Sequence, residues 1–224
     1  MHIKSFFIVI LVEIEKGNVW GRVIMRSFTF IPLLCLAATS SVAQEFSGRV
    51  DNLVAPELID EIKGWANAPI VKLAVDAQNQ RNGLLTQDEI DELDKAWREE
   101  TQAEDKPLIS ATIASPLSNY LLKRQAASVG LYKEIFVMDA NGLNVGQSSI
   151  TTDYWQGDEV KFQKTFPVGP TEIFIDKPEF DDGLKIWTSQ VSMTLADKES
   201  GEAFGAITVE INLTELSRRR APAF

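Results

Sequence analysis

Histidine and cysteine are almost missing from this chain: His2 and Cys35 are the only ones in 224 residues. Both precede residue 43, so whatever folds after that point has neither. Their absence there removes Ser–His and Cys–His nucleophile pairs, imidazole and thiolate ligands for zinc, and disulfides. Positive charge is also scarce, with 22 Lys and Arg against 32 Asp and Glu. Nucleic acid is therefore not an expected partner, because a phosphate backbone calls for a basic face. Apolar runs are confined to the start, so the rest is not expected to be membrane-embedded. Carboxylate chemistry of the glycosidase kind stays open, as do oxygen-only cation binding and plain ligand binding. No catalytic residue, metal or cofactor is assigned.

Two apolar stretches lie near the start. Phe6 to Val12 is too short for a bilayer, which takes roughly 20 residues. The second follows Met25: Arg26 is positive, Phe28 to Ala38 is apolar, and Ser41-Val42-Ala43 offers small residues for cleavage. That is the order of parts in a secretory signal peptide, although a buried helix or an anchor would share the apolar stretch. Cys35 does not make a lipoprotein signal, since Leu34 stands where a small residue is needed. Residues 25–43 are thus expected to be a signal peptide and the protein to be periplasmic. Residues 1–24 are expected to be an upstream extension, with translation beginning at Met25. Residues 44–224 would then carry 18 basic and 30 acidic side chains, a net charge of −12.

Residues 44–106 read as helical. Leu58, Ile59, Ile62 and Trp65 share one stripe, and Pro69 breaks or restarts that helix. Ile70, Leu73, Val75 and Ala77 continue to a stop at Asn82-Gly83. Thr86 and Glu89 form a capping box with Leu85 and Ile90 as a staple, opening a helix to about Gln102 with Ile90, Leu93 and Trp97 on one face. A further helix is predicted over Pro116 to Val129. From Glu134 the pattern becomes strand-like. Ile135 to Met138 and Leu143 to Val145 flank Asn141-Gly142, a hairpin signal. Further strands are expected over Glu172–Ile175, Lys185–Leu195 and Ala203–Ile211. Helices followed by antiparallel strands make an α+β fold. Residues 217–224 read as a solvated tail.

Ser149 to Phe166 is the most distinctive stretch. Tyr154-Trp155 next to Gly157, Asp158, Glu159 and Lys161 supplies the aromatics and few polar groups of a small-molecule pocket. Lys161 suits a ligand carboxylate, and Asp158 or Glu159 a ligand ammonium. The same residues also fit a core pair, Trp155 and Phe162, beside a solvated helix face. Asn79 to Glu89 has calcium-loop spacing but neutral amides where carboxylates are wanted, so it reads as a turn before the capped helix. Asp176, Glu179, Asp181 and Asp182 read as a solvated acidic loop. Ser189 and Ser192 have no base to activate them.

The run Glu134 to Val145, followed by Asp153 to Glu159 and later Phe204 to Ile211, resembles the single-module Cache domains, extracytoplasmic PAS-like sensors. The resemblance covers residues 107–216. It implies long N-terminal helices packed on a five- or six-stranded antiparallel PAS-like sheet, with a ligand held between sheet and crossing segment. It makes Tyr154, Trp155, Asp158 and Lys161 the pocket candidates, with Ser189 and Gln190 on the facing strand. Such domains bind a small metabolite: an organic acid, amino acid or amine. Family members usually sit between two membrane helices, whereas this chain is expected to be free in the periplasm and to report to a membrane receptor or kinase. Two other readings stay in view: a carboxylate-dependent periplasmic enzyme, and a protein-docking adaptor. The pocket reading requires a solvent-excluded hollow with the Trp155 indole in its wall.

Overall fold

A computed structural model of the chain describes residues 50–221. The expected upstream extension, the expected signal peptide and the last three residues of the expected tail lie outside the described residues.

The helical half begins with α1 (Val50–Leu53) and α2 (Pro56–Ala66), whose stripe of Leu58, Ile62 and Trp65 is buried. Pro69 restarts the chain as α3 (Pro69–Asn82). Its buried face is Val71, Val75 and Gln78, and Leu73 is largely exposed, so the stripe is offset from the one predicted. In α4 (Gln87–Gln102) the capping box is closed: the Thr86 amide donates to the Glu89 carboxylate at 2.8 Å and the Glu89 amide to Thr86 Oγ1 at 3.4 Å. Leu85 and Ile90 meet in one cluster with Trp97, completing the staple. The Asn79–Glu89 stretch is therefore the end of α3, a turn and a cap.

The short helix α5 (Pro107–Ile113) was not predicted. Its start is capped from outside, by the Glu100 carboxylate accepting the Leu108 and Ile109 amides at 3.1 and 2.9 Å. Next, α6 (Pro116–Ala127) starts at Ser115, whose Oγ accepts the Ser118 amide. It ends two residues earlier than predicted, where Val129 and Gly130 turn left-handed.

Six antiparallel strands follow: β1 (Tyr132–Met138), β2 (Asn144–Gln147), β3 (Ile173–Ile175), β4 (Glu179–Asp181), β5 (Ile186–Ala196) and β6 (Ala203–Asn212). Their order is β2-β1-β6-β5-β3, with β4 also pairing β5. The architecture is α+β, helices on a six-stranded antiparallel PAS-like sheet. The β1–β2 hairpin turns at the predicted Asn141-Gly142, with Gly142 at φ +82°. Asp139 Oδ1 accepts the Asn141 and Leu143 amides inside that turn. Strand β4 falls in the acidic stretch read as a loop; it pairs Phe180 with Trp187, ring centroids 5.3 Å apart. The one-turn helix α7 (Val160–Gln163) precedes β3, and α8 (Leu213–Arg220) follows β6. Ser217 to Arg220, expected in the tail, continue α8, and Arg219 donates to the Ser128 and Val129 carbonyls.

Period-2 alternation gives the sheet two different faces. Ile135, Val137, Val191, Met193, Ile207, Val209 and Ile211 face α2, α3 and α6 in the main core. The residues between them are Glu134, Phe136, Met138, Gln190, Ser192, Thr208 and Glu210. On this second face Phe136, Met138 and Ala206 pack on Phe162 of α7, and the Ser192 and Thr208 hydroxyls bond across the strands at 2.9 Å. No helix among the described residues is long and apolar enough to cross a membrane.

Candidate functional site

The segment between β2 and β3 crosses the second face of the sheet. Its first part is fastened to α4. Asp94 Oδ1 accepts the Tyr154 and Trp155 amides at 2.9 and 3.0 Å, while Oδ2 takes Arg98, which also reaches Asp153 at 3.2 Å. Trp97 donates to the Thr151 carbonyl and stacks on Tyr154 at 5.2 Å. A close backbone contact then fixes the path: a Cβ on Gly142 would sit 2.6 Å from Gly157 Cα, and one on Gly157 would sit 2.3 Å from Trp155 Nε1. Beyond it α7 lies over the sheet, anchored by buried Phe162, and Thr165 Oγ1 donates to the Lys161 carbonyl at its end.

Between α7, the β3–β4 connection and strands β5 and β6 lies a cavity of about 240 Å³. Lys161, Ser189 and Gln190, three of the six predicted residues, line it together. Glu159, Asp176, Lys177, Glu179, Thr188 and Glu210 complete most of its polar wall. Trp155 and Asp158 lie elsewhere. They line a separate, more open groove of about 760 Å³ against α4, beside Asp91, Lys95, Arg98 and Glu99. The Trp155 indole is half-buried there and donates to the Asn141 carbonyl at 2.8 Å. Tyr154 lines neither space. It is buried in the cluster with Trp97 and Leu143, and burial, helped by the charge of Asp139, pushes its phenol up to about 12.

The cavity's charges are unevenly matched. Lys133 Nζ sits between Asp181 at 2.9 Å and Glu210 at 3.0 Å. Burial alone would lower the Lys133 ammonium, but these two hydrogen bonds outweigh it and the net shift is upward. Beside this pair, burial raises the Glu134 carboxyl and the Glu210 charge adds to that, against a hydrogen bond from Ser149 at 2.7 Å. Lys161 Nζ lies 5.3 Å from the centre of the Phe136 ring, a cation–π distance, with no carboxylate within 4.0 Å among the described residues. Ser189 Oγ donates to the Asp176 carbonyl at 2.7 Å, so its proton is already engaged. Among the described residues no three His, Cys, Asp or Glu side chains converge to hold a metal ion.

Glu210, Asp176, Glu179 and Thr188 were not singled out as ligand contacts. Glu210 did carry a signal: it is a charge between Val209 and Ile211 in an otherwise uncharged strand, and such a residue on an inward face marks a polar site. Asp176 and Glu179 reach the cavity only because β3 and β4 both flank β5, which local composition does not reveal.

No family model matches this chain. No curated protein matches it either. Solved structures do. The sensory domain of the Campylobacter jejuni chemoreceptor Tlp3 (CcmL) is 13% identical with a TM-score of 0.37, covering 77% of this chain and 68% of that one. The ligand-binding domain of the Pseudomonas aeruginosa amino-acid chemoreceptor PctC, in complex with GABA, is 13% identical with a TM-score of 0.37, over 75% of this chain and 64% of that one. The ligand-binding domain of the Pseudomonas fluorescens chemoreceptor CtaA, in complex with L-serine, is 14% identical with a TM-score of 0.33, over 56% and 59%. This chain therefore spans about two thirds of the first two domains. At these identities and scores the likeness assigns neither ligand nor role.

Proposed function

We propose that this protein is a Cache-like sensory domain that binds a small metabolite in the periplasm and passes its occupancy to a membrane receptor or kinase. The observation that carries this reading is the cavity between α7 and the polar face of the sheet. It joins residues far apart in sequence into one concave, polar-lined space, as small-molecule sites are built. Lys161, Ser189 and Gln190 are its proposed contacts. Trp155 and Asp158 belong to the open groove, where a ligand would meet the indole face and Arg98. Binding without catalysis fits the local chemistry, because the Ser189 hydroxyl is held by a carbonyl and no imidazole or thiol exists after residue 35. The periplasmic setting rests on the expected signal peptide.

Thermal unfolding against organic acids, amino acids and amines tests the reading, since a ligand that binds only the native state raises Tm by mass action. Stabilisation lost in Lys161→Met and kept in Trp155→Ala places the ligand under α7. The reverse pattern moves it to the groove. A flat response to all three classes ends the sensory reading.

A further inference from the structure

The open groove against α4 is built differently from the cavity under α7. Its α4 wall is one helical stripe, Asp91, Lys95, Arg98, Glu99 and Gln102, with Asp94 beside it, and Trp155 and Asp158 of the crossing segment complete it. Four acidic side chains thus stand against two basic ones, and both basic ones are engaged. Arg98 holds Asp94 at 2.7 Å and Asp153 at 3.2 Å, and Lys95 lies 3.9 Å from Glu92. Asp91 accepts the Gln87 side-chain amide at 2.7 Å. Asp91, Glu99 and Asp158 are all exposed, and none meets a cation within 4.0 Å among the described residues. Trp155 adds a fixed aromatic wall. Asp94 holds its amide and the Asn141 carbonyl its indole N–H, so the ring needs little ordering when a partner arrives.

We infer that this groove docks a basic segment of a protein partner. One cationic side chain goes to Trp155, Asp158 and Glu99, and a second to Asp91. The indole attracts the first through its ring quadrupole, and the unpaired carboxylates attract both by charge complementarity. A single free cation is too small for the site: Asp91 and Glu99 are eight residues apart, about 12 Å along a helix, a span that an extended chain covers in about four residues. The groove's volume of about 760 Å³, against about 240 Å³ under α7, also suits a chain segment better than a metabolite. The inference builds on the proposed role, in which occupancy is passed to a partner, and names the face that meets that partner.

The test is isothermal titration of the full chain with unstructured peptides that carry two arginines four residues apart, and with the same peptides carrying uncharged citrulline or glutamate instead. The arginine peptide should bind best, and more weakly as salt is added. Glu99→Lys with Asp158→Lys should weaken it roughly tenfold or more, since two attractions become repulsions, and should turn the preference toward the glutamate peptide. Both positions are exposed, so thermal unfolding should be unchanged. Trp155→Leu should weaken the arginine peptide while leaving the charge preference in place. Equal binding of the citrulline peptide, binding indifferent to the charge reversals, or no binding at all overturns the inference. Tighter binding of spermine, a polyamine of similar span, overturns the protein partner. Metabolite stabilisation that survives in the Glu99 and Asp158 variant leaves the sensory reading standing whatever the peptides do; its loss there makes the groove the ligand site and overturns the docking role.

Discussion

One sheet serves two purposes on its two sides. The side facing α2, α3 and α6 is largely apolar, with Ile135, Val137, Val191, Ile207, Val209 and Ile211 fully buried. The side facing α7 alternates aromatic packing with Glu134, Gln190, Ser192, Thr208 and Glu210, and it keeps a cavity. Since the strands are shared, the difference is set residue by residue along each strand. Apolar burial is concentrated on the first side, and the second carries charge, with burial penalising the Glu134 carboxylate.

Substitutions on the two sides should therefore differ in size. Ile207→Ala on the apolar side should cost about 2–5 kcal/mol in denaturant unfolding, as a cavity in packed aliphatic surroundings does; a loss under 1 kcal/mol would erase the contrast. Asp94→Ala, beyond the second side, leaves the Tyr154 and Trp155 amides without their acceptor. It should cost about 1–3 kcal/mol and raise amide exchange in the crossing segment.

Glu134→Gln tests the electrostatics. Its carboxyl is raised above 4.5 in the folded state, so the folded protein holds that proton more tightly than the unfolded chain. The stability this gives is present below 4.5 and is lost as pH rises through the raised value. The variant should show a flatter stability profile over that interval, read by unfolding at a series of pH values. The smallest effect should come from Ser192→Ala with Thr208→Val. Both members of a buried hydroxyl pair are removed together, so neither is stranded, and the change should stay near zero. A large loss there would show that the polar face also holds the fold.

Much of the fold was legible because its signals are local. Thr86 and Glu89 are three residues apart, Asn141-Gly142 is a dipeptide, and the stripe of α2 repeats within one helix. The misses are elements whose support comes from elsewhere: α5 is capped by Glu100 of the preceding helix, and β4 exists because Trp187 and β5 lie beside it. The candidate site was legible in part for the same reason. Lys161, Ser189 and Gln190 are brought together by topology that the Cache resemblance supplied. Tyr154 and Trp155 were grouped with Lys161 by nearness in sequence and by that same resemblance. The hold of Asp94 and Trp97 on residues 151–155 turns Tyr154 into the packing against α4 and sets Trp155 along the groove, while α7 carries Lys161 over the sheet.

The contact of Gly142 with Gly157 bears on how this sequence can drift. Main chain meets main chain there, and the indole of Trp155 closes the remaining gap. Alanine scanning at either position should return misfolded or rerouted protein, even though neither residue has a side chain to lose. A saturation library selected for folding should keep these two glycines as a coupled pair of invariant sites.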